Sequence, residues 1–253
     1  MIRRELEYFF GALRFFTRLP VPAWVGHSAE ALNRSARYFP AVGLVIGGIG
    51  ALVFLGVSLF WPQAVAVLLS MAATIYATGA FHEDGLADMV DGLGGGWDKL
   101  HILEIMKDSR VGSYGVVALV LALLGKFVLL VALDATLVPF ALLAGHAVSR
   151  FCSTVLLAMM DYVREDLLAK AKPLATRLTI GEMLIAVFFV LLALALLPLE
   201  KAIAGCLLAA IATFWLAARF KRWLGGYTGD CLGATQQVSE IAFYLGLLAS
   251  LAQ

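Results

Sequence analysis

Apolar runs long enough to cross a bilayer recur along most of this chain, near residues 39–60, 62–81, 113–133, 137–160, 181–199 and 202–218. A helical span needs about 20 such residues. Within hydrocarbon each backbone N–H and C=O must find its partner inside the segment, which leaves helices as the economical solution for runs of this length. The expected fold is therefore all-α: a polytopic integral membrane bundle of about six or seven transmembrane helices. A seventh run, near 236–252, is shorter and contains Glu240. Composition agrees, with 62% hydrophobic and 15% charged residues against about half and a quarter in soluble domains. The breaks at Trp61–Pro62 and Asp134–Thr136 read as tight hairpins joining the first span to the second and the third to the fourth.

Charge sets the orientation. Arg3, Arg4, Arg14, Arg18, Arg34 and Arg37 precede the first span. Lys99, Lys107 and Arg110, then Arg164, Lys170, Lys172 and Arg177, then Arg219, Lys221 and Arg222 fall on the same side. Lys201 alone lies opposite, while Lys126 and Arg150 lie within spans. The positive-inside rule then puts the N-terminus and the long loops in the cytoplasm. A net charge of +1 argues against nucleic acid as a partner. Cys152 and Cys206 lie in apolar stretches and Cys231 in a loop, offering neither a disulfide framework nor a Cys-x-x-Cys site. The N-terminus lacks the apolar run and cleavage site of a signal peptide.

The chain reads as one membrane-embedded domain, residues 1–253. A cytoplasmic N-terminal segment covers 1–38, an acidic catalytic loop 82–112, and a Gly-rich loop 219–240. Leu6, Phe9, Phe10, Leu13 and Phe16 follow helical spacing near Arg3, Arg4, Arg14 and Arg18. This describes an amphipathic helix lying at the interface or packed on the bundle. Ser28 is placed to cap a short helix running toward Tyr38.

Three constellations carry chemistry. The first runs from Phe81 to Gly96 and contains His82, Glu83, Asp84, Asp88 and Asp91. On a helix, Asp84, Asp88 and Asp91 stand at i, i+4 and i+7 and share one face. Such a face repels itself, and Mg²⁺, which takes carboxylate oxygens together with substrate phosphates, is the simplest counter-charge. His82 suits capping or packing as well as catalysis. The second, Glu104 to Gly115, offers Lys107 and Arg110 to phosphate. Asp108 completes the metal shell, orients a hydroxyl or forms a salt bridge. In the third, Gly225 to Glu240, glycines surround Asp230 in a turn or a nucleotide-contacting loop. His146 and Arg150, four apart in the fourth span, and Lys126 in the third belong to a bundle interior or a wet cavity. They either meet a substrate's polar groups or pair structurally.

In this order and on this topology, the constellations resemble the cobalamin synthase family (adenosylcobinamide-GDP ribazoletransferase). The matching stretches are Arg18 to Pro20, Arg37 to Gly43, Thr78 to Gly96, Leu103 to Gly115 and Gly226 to Gly233. The resemblance implies a Mg²⁺-dependent enzyme joining adenosylcobinamide-GDP to α-ribazole or its 5′-phosphate with release of GMP. The ribose 3′-hydroxyl would attack the phosphorus nearest the corrinoid. It further implies a multi-pass protein of a bacterial cytoplasmic (inner) membrane with its active site facing the cytoplasm. A homo-oligomer, or association with other corrinoid-assembly enzymes, stays open. Asp84, Asp88, Asp91 and then Asp108 would hold the metal, and Lys107 and Arg110 would steady the diphosphate. Glu83, Asp108 and Asp230 are candidate bases. Two alternatives come from other classes. Asp88 to Gly92 matches the start of the CDP-alcohol phosphotransferase signature, but the continuation from Leu93 departs from it. A transporter would suit the buried His146 and Arg150, but the acids collect away from the midplane.

Overall fold

The computed structural model describes residues 2–26, 28–163 and 178–249. The loop bases Arg164, Lys170, Lys172 and Arg177 lie outside the described residues, as do 250–252 of the last apolar run. The helices run α1 (Ile2–Phe16), α2 (Ala29–Ser35), α3 (Phe39–Ser58), α4 (Gln63–Thr78), α5 (Phe81–Gly95), α6 (Lys99–Ile105), α7 (Ser113–Ala132), α8 (Val138–Met159), α9 (Ile180–Leu194), α10 (Leu199–Leu224) and α11 (Gly229–Leu248). The all-α expectation holds among the described residues. The only extended pairing there is a single bridge between Tyr162 and Tyr227.

Among the described residues four segments are long and apolar enough to cross a membrane: Glu30–Ser58, Ser113–Ala132, Val138–Met159 and Leu199–Leu224. The bent pair α4–α5 makes a fifth if it is counted as one broken span. α9 is apolar but has only 15 residues, short of a full span. α11 is long enough but too polar. α7 exposes Val116, Val117, Val120, Leu121, Leu124 and Val128 along its outer side. Only 17% of its apolar window is buried within the protein, against 78% for α8. A continuous apolar face of that extent belongs against lipid, because water would penalise it.

α8 and α11 form the centre. α3 lies against α8, where Gly43 and Gly47 bring its backbone onto the carbonyls of His146 and Leu142. Small residues four apart are the usual means of close helix approach in lipid, where packing replaces the hydrophobic drive. α3 and α4 form the expected hairpin. α7 and α8 do not: a short turn capped by Asp134 joins them, but α7 packs on α5, α11 and α4 instead. α1 is amphipathic and seats Ala12, Leu13 and Phe16 in the core beside Phe39. Ser28 caps α2 through the amide of Ala31. Arg37 ties this N-terminal layer to α9, pairing with Glu5 and with Glu182 and lying 5.1 Å from the Tyr8 ring centroid.

The elbow between α4 and α5 positions everything that follows. The two helices meet at 86°, turned by Gly79 (φ 67°) and Ala80 (φ 58°). The Arg18 side chain fills the space where a Gly79 side chain would stand. The Arg18 amide also donates to the carbonyl of Ala77 at 2.8 Å. Ala80 holds a left-handed conformation that costs an L-residue about 1–2 kcal/mol. Ala80→Gly is therefore expected to raise thermal stability in detergent slightly. Gly79→Val should lower it by at least about 2 kcal/mol, from a positive φ and a displaced Arg18 together.

Candidate functional site

α5 carries its acids from solvent into the bundle: Asp84 is exposed, Asp88 half-buried and Asp91 buried. Asp91 faces the start of α7 and accepts the amides of Gly112 at 2.7 Å and Gly115 at 2.9 Å, one on each oxygen. An anion there satisfies donors that the first helical turn leaves orphaned and meets the positive end of its dipole. The absence of side chains at Gly112 and Gly115 makes room for the carboxylate. Asp91→Asn would set an amide NH₂ against one of these N–H groups. It is expected to cost about 1–3 kcal/mol, read as a lower melting temperature in detergent.

Asp91, Gly95, Asp108, Arg110 and Tyr114 line an open cleft of about 420 Å³ between α5, α6 and α7. The end of the first constellation therefore meets the second. Asp108 clasps Arg110 through three side-chain contacts of 2.6–3.1 Å and the backbone amide. These bonds from Arg110 draw the Asp108 carboxyl down to about 2, so the pair stays ionised through the working pH range. The Arg110 side chain is 87% exposed. Lys107 is exposed as well.

The expected metal shell of Asp84, Asp88, Asp91 and Asp108 is not gathered into one place. Among the described residues no three His, Cys, Asp or Glu side chains stand close enough to share an ion. Asp91 is turned to the amides of α7, and Asp108 to Arg110. Asp84 and Asp88, one helical turn apart, remain a donor set suited to Mg²⁺, which often takes one or two carboxylates and completes its shell with water and phosphate.

The third constellation is not a long loop. α10 runs to Leu224, Gly225 to Thr228 make a short turn, and Gly229 opens α11, so Cys231 is a buried helical residue. Thr228 caps α11 through the amide of Cys231, and the turn is pinned by Tyr227, whose amide donates to Asp161 O at 2.9 Å. Likewise the 82–112 stretch is mostly helix, α5 and α6. α5 and α11 cross where Gly85 faces the backbone of Asp230 and Gly233. Two glycines at one crossing let the helices approach closely, which brings Asp230 onto the acidic helix.

Beneath that crossing lies a polar network buried between α5, α7, α8 and α11. Glu240, fully buried, sits 3.1 Å from Lys126 and 3.5 Å from His146, and accepts from Tyr244 at 3.0 Å and Gln236 at 2.6 Å. Gln237 accepts from Lys126 and donates to Glu83, both at 3.0 Å. Arg150 Nη1 donates to the His146 carbonyl at 3.1 Å. His82 stacks on Phe16, with ring centroids 5.3 Å apart. His82 Nε2, Glu83 Oε2 and Arg150 Nε find no partner. Glu83, His82, His146 and Arg150 thus meet in one cluster. Gln236, Gln237 and Tyr244 were not expected there. Their signal was the pair of amides four and three residues before Glu240 in an apolar run.

This architecture is that of a helical membrane protein with a charged buried centre and an acidic face above it. A sequence profile of the family described as Cobalamin-5-phosphate synthase (CobS) matches residues 8–248, and the chain belongs to that family. It is 48% identical to the Adenosylcobinamide-GDP ribazoletransferase of Shewanella woodyi, over 98% of each chain. The protein of that name from Polaromonas sp. is also 48% identical, over 95% of each chain. A third, from Leptothrix cholodnii, is 48% identical over 97% of this chain and 96% of its own. No solved structure matches the chain.

Proposed function

We propose that this protein joins adenosylcobinamide-GDP to α-ribazole, or to its 5′-phosphate, and releases GMP, the assembly of the nucleotide loop in cobalamin synthesis. The full-length family match carries this reading. The crossing at Gly85, which brings Asp230 beside the acidic helix, supports it. Phosphoryl transfer needs positioning and charge neutralisation more than covalent help, and the residues on this face supply both.

Asp84 and Asp88 are the residues that would hold Mg²⁺ against the substrate diphosphate. When bound, that ion neutralises charge on the phosphoryl oxygens. Arg110, exposed at the rim of the cleft, presents a planar fork to phosphate, with Asp108 keeping it oriented. Lys107 adds a second cation. Asp230, held at the start of α11 against α5, is the base we assign to the ribose hydroxyl. Glu83, buried and bonded to Gln237, is instead a positioning group. The positive-inside distribution supports a cytoplasmic face for this site, in a bacterial inner membrane.

The test uses the whole protein in detergent with adenosylcobinamide-GDP and α-ribazole. Cobalamin and GMP are followed with and without Mg²⁺, then again with EDTA. Equimolar cobalamin and GMP that vanish with EDTA and return with Mg²⁺ are expected. A folded protein that forms neither would remove the assigned reaction, and unchanged turnover in EDTA would remove the metal.

A further inference from the structure

The crossing of Gly85 with Gly233 brings α5 and α11 together, with a Cβ built on Gly85 standing 3.2 Å from the Cα and the carbonyl oxygen of Asp230. Helices take their register from side chains that interlock, and neither glycine supplies one. Asp230, Gly233 and Gln237 stand at i, i+3 and i+7 of α11 and share the face turned to α5. One turn beneath the glycines, that face ends on an amide. Gln237 is 2% exposed. Its Nε2 donates to Glu83 Oε1 of α5 at 3.0 Å and to Gln236 Oε1 at 2.8 Å. Its Oε1 accepts from Lys126 Nζ of α7 at 3.0 Å.

Resting on the transferase reading above, we propose that Gln237 is a positioning residue for the transfer: it sets the register of α11 against α5, and so the place of Asp230 relative to Asp84 and Asp88. A primary amide is what its neighbours require. The Lys126 ammonium can only donate and Glu83 accepts through Oε1, so the group between them must offer an acceptor to one and a donor to the other. Both hydrogens and the oxygen of the Gln237 amide are used, which holds it in one orientation. Glutamate there would oppose Glu83, and methionine, of similar length, would satisfy neither neighbour.

The position fits the chemistry. Glu83 directly precedes Asp84 on the first turn of α5, so a bond that holds Glu83 also holds the start of the acidic face. Asp91, near the other end of the helix, is bound to the amides of Gly112 and Gly115. α5 is thus fastened to α11 at one end and to α7 at the other. Lys126 closes the triangle, bonding Gln237 and lying 3.1 Å from Glu240 on α11. Phosphoryl transfer depends on alignment, and a displacement of about 1 Å between reacting groups costs on the order of a hundredfold in rate. Gln237, buried beneath the acidic face, acts through the two helices rather than by contact with substrate.

The experiment uses the full chain in detergent with Gln237→Met, with Gln237→Glu, and with a swap that combines Gln237→Glu and Glu83→Gln. The swap keeps one acid and one amide between the helices and leaves Lys126 an acceptor. Folded protein is quantified by size exclusion, kcat and both KM values are measured with Mg²⁺ present, and backbone hydrogen exchange is followed by mass spectrometry. The expected result for Gln237→Met is a kcat lowered about a hundredfold per folded molecule, with KM for each substrate within about twofold of wild type. Faster hydrogen exchange should be confined to α5 and the first turns of α11. Gln237→Glu should lose at least as much, and the swap should regain about tenfold of that loss. An unchanged kcat in folded Gln237→Met would overturn the proposal, as would a loss carried by KM. Should Gln237→Met not fold, a swap no better than Gln237→Glu alone would overturn it equally. A wild type that forms no cobalamin, with hydrogen exchange still raised in Gln237→Met and restored in the swap, would remove the assigned reaction and leave the register. Neither turnover nor any change in hydrogen exchange would remove both.

Discussion

Glu240→Ala is expected to cost about 3–5 kcal/mol and to leave little folded protein in detergent. Glu240 is fully buried on α11, and the Lys126 ammonium and the His146 ring both lean on it. Removing the carboxylate strands Lys126 without its counter-charge, and the Tyr244 hydroxyl and the Gln236 amide lose an acceptor. A buried charge left without its partner is far costlier than a pair that was never built. Glu240→Ala combined with Lys126→Met should recover much of the loss, because the second change removes the stranded ammonium. Size-exclusion profiles and melting temperatures of both single variants and the double variant give the coupling between them. Additive losses would show that the pair is not the source of the cost.

Asp84→Asn is expected to lower kcat by at least about a hundredfold with the melting temperature within a few degrees of wild type. Asp84 is exposed on the first turn of α5, so the fold does not depend on its charge, and a loss of turnover reports on chemistry. The contrast with Asp91 is the informative one. Asp91 lies on the same face but gives both oxygens to the amides of α7, so Asp91→Asn should weaken the fold along with activity. Raising Mg²⁺ should partly restore Asp84→Asn if the carboxylate holds the ion, and should leave Asp91→Asn unrelieved. A fully active Asp84→Asn enzyme would move the metal away from the start of α5.

The helical periodicity of the acids held, but their common face did not make them equivalent. Three aspartates at i, i+4 and i+7 share a stripe in any helix. What each one meets depends on the partners at its own height. α5 enters the bundle obliquely after the 86° elbow, so the stripe passes from solvent to the N-terminus of α7 within two turns. The same reasoning applies to the Gly-rich stretch. Glycine or aspartate near a helix start reads as turn chemistry in sequence; Gly225, at φ 78°, does make the turn, but Gly233 instead serves a helix crossing. Glu240 was legible as an anomaly within an apolar run, although its pairing with groups of two other helices, Lys126 of α7 and His146 of α8, was not.

Helix content, the membrane setting and the two distinctive acidic and basic stretches were determined by the sequence alone. Each depends on local spacing, on apolar length or on the chemistry of neighbouring residues, and these survive without knowledge of the fold. Packing decided the rest: which aspartate faces water, which one caps α7, how Asp230 reaches α5, and how Gln237 comes to lie between Glu83 and Lys126. Those outcomes turn on close approaches at Gly43, Gly79 and Gly85 and on charges paired across more than a hundred residues, as Lys126 and Glu240 are. Such contacts are set by how helices cross, and a crossing is a property of pairs of helices that no single stretch of chain contains.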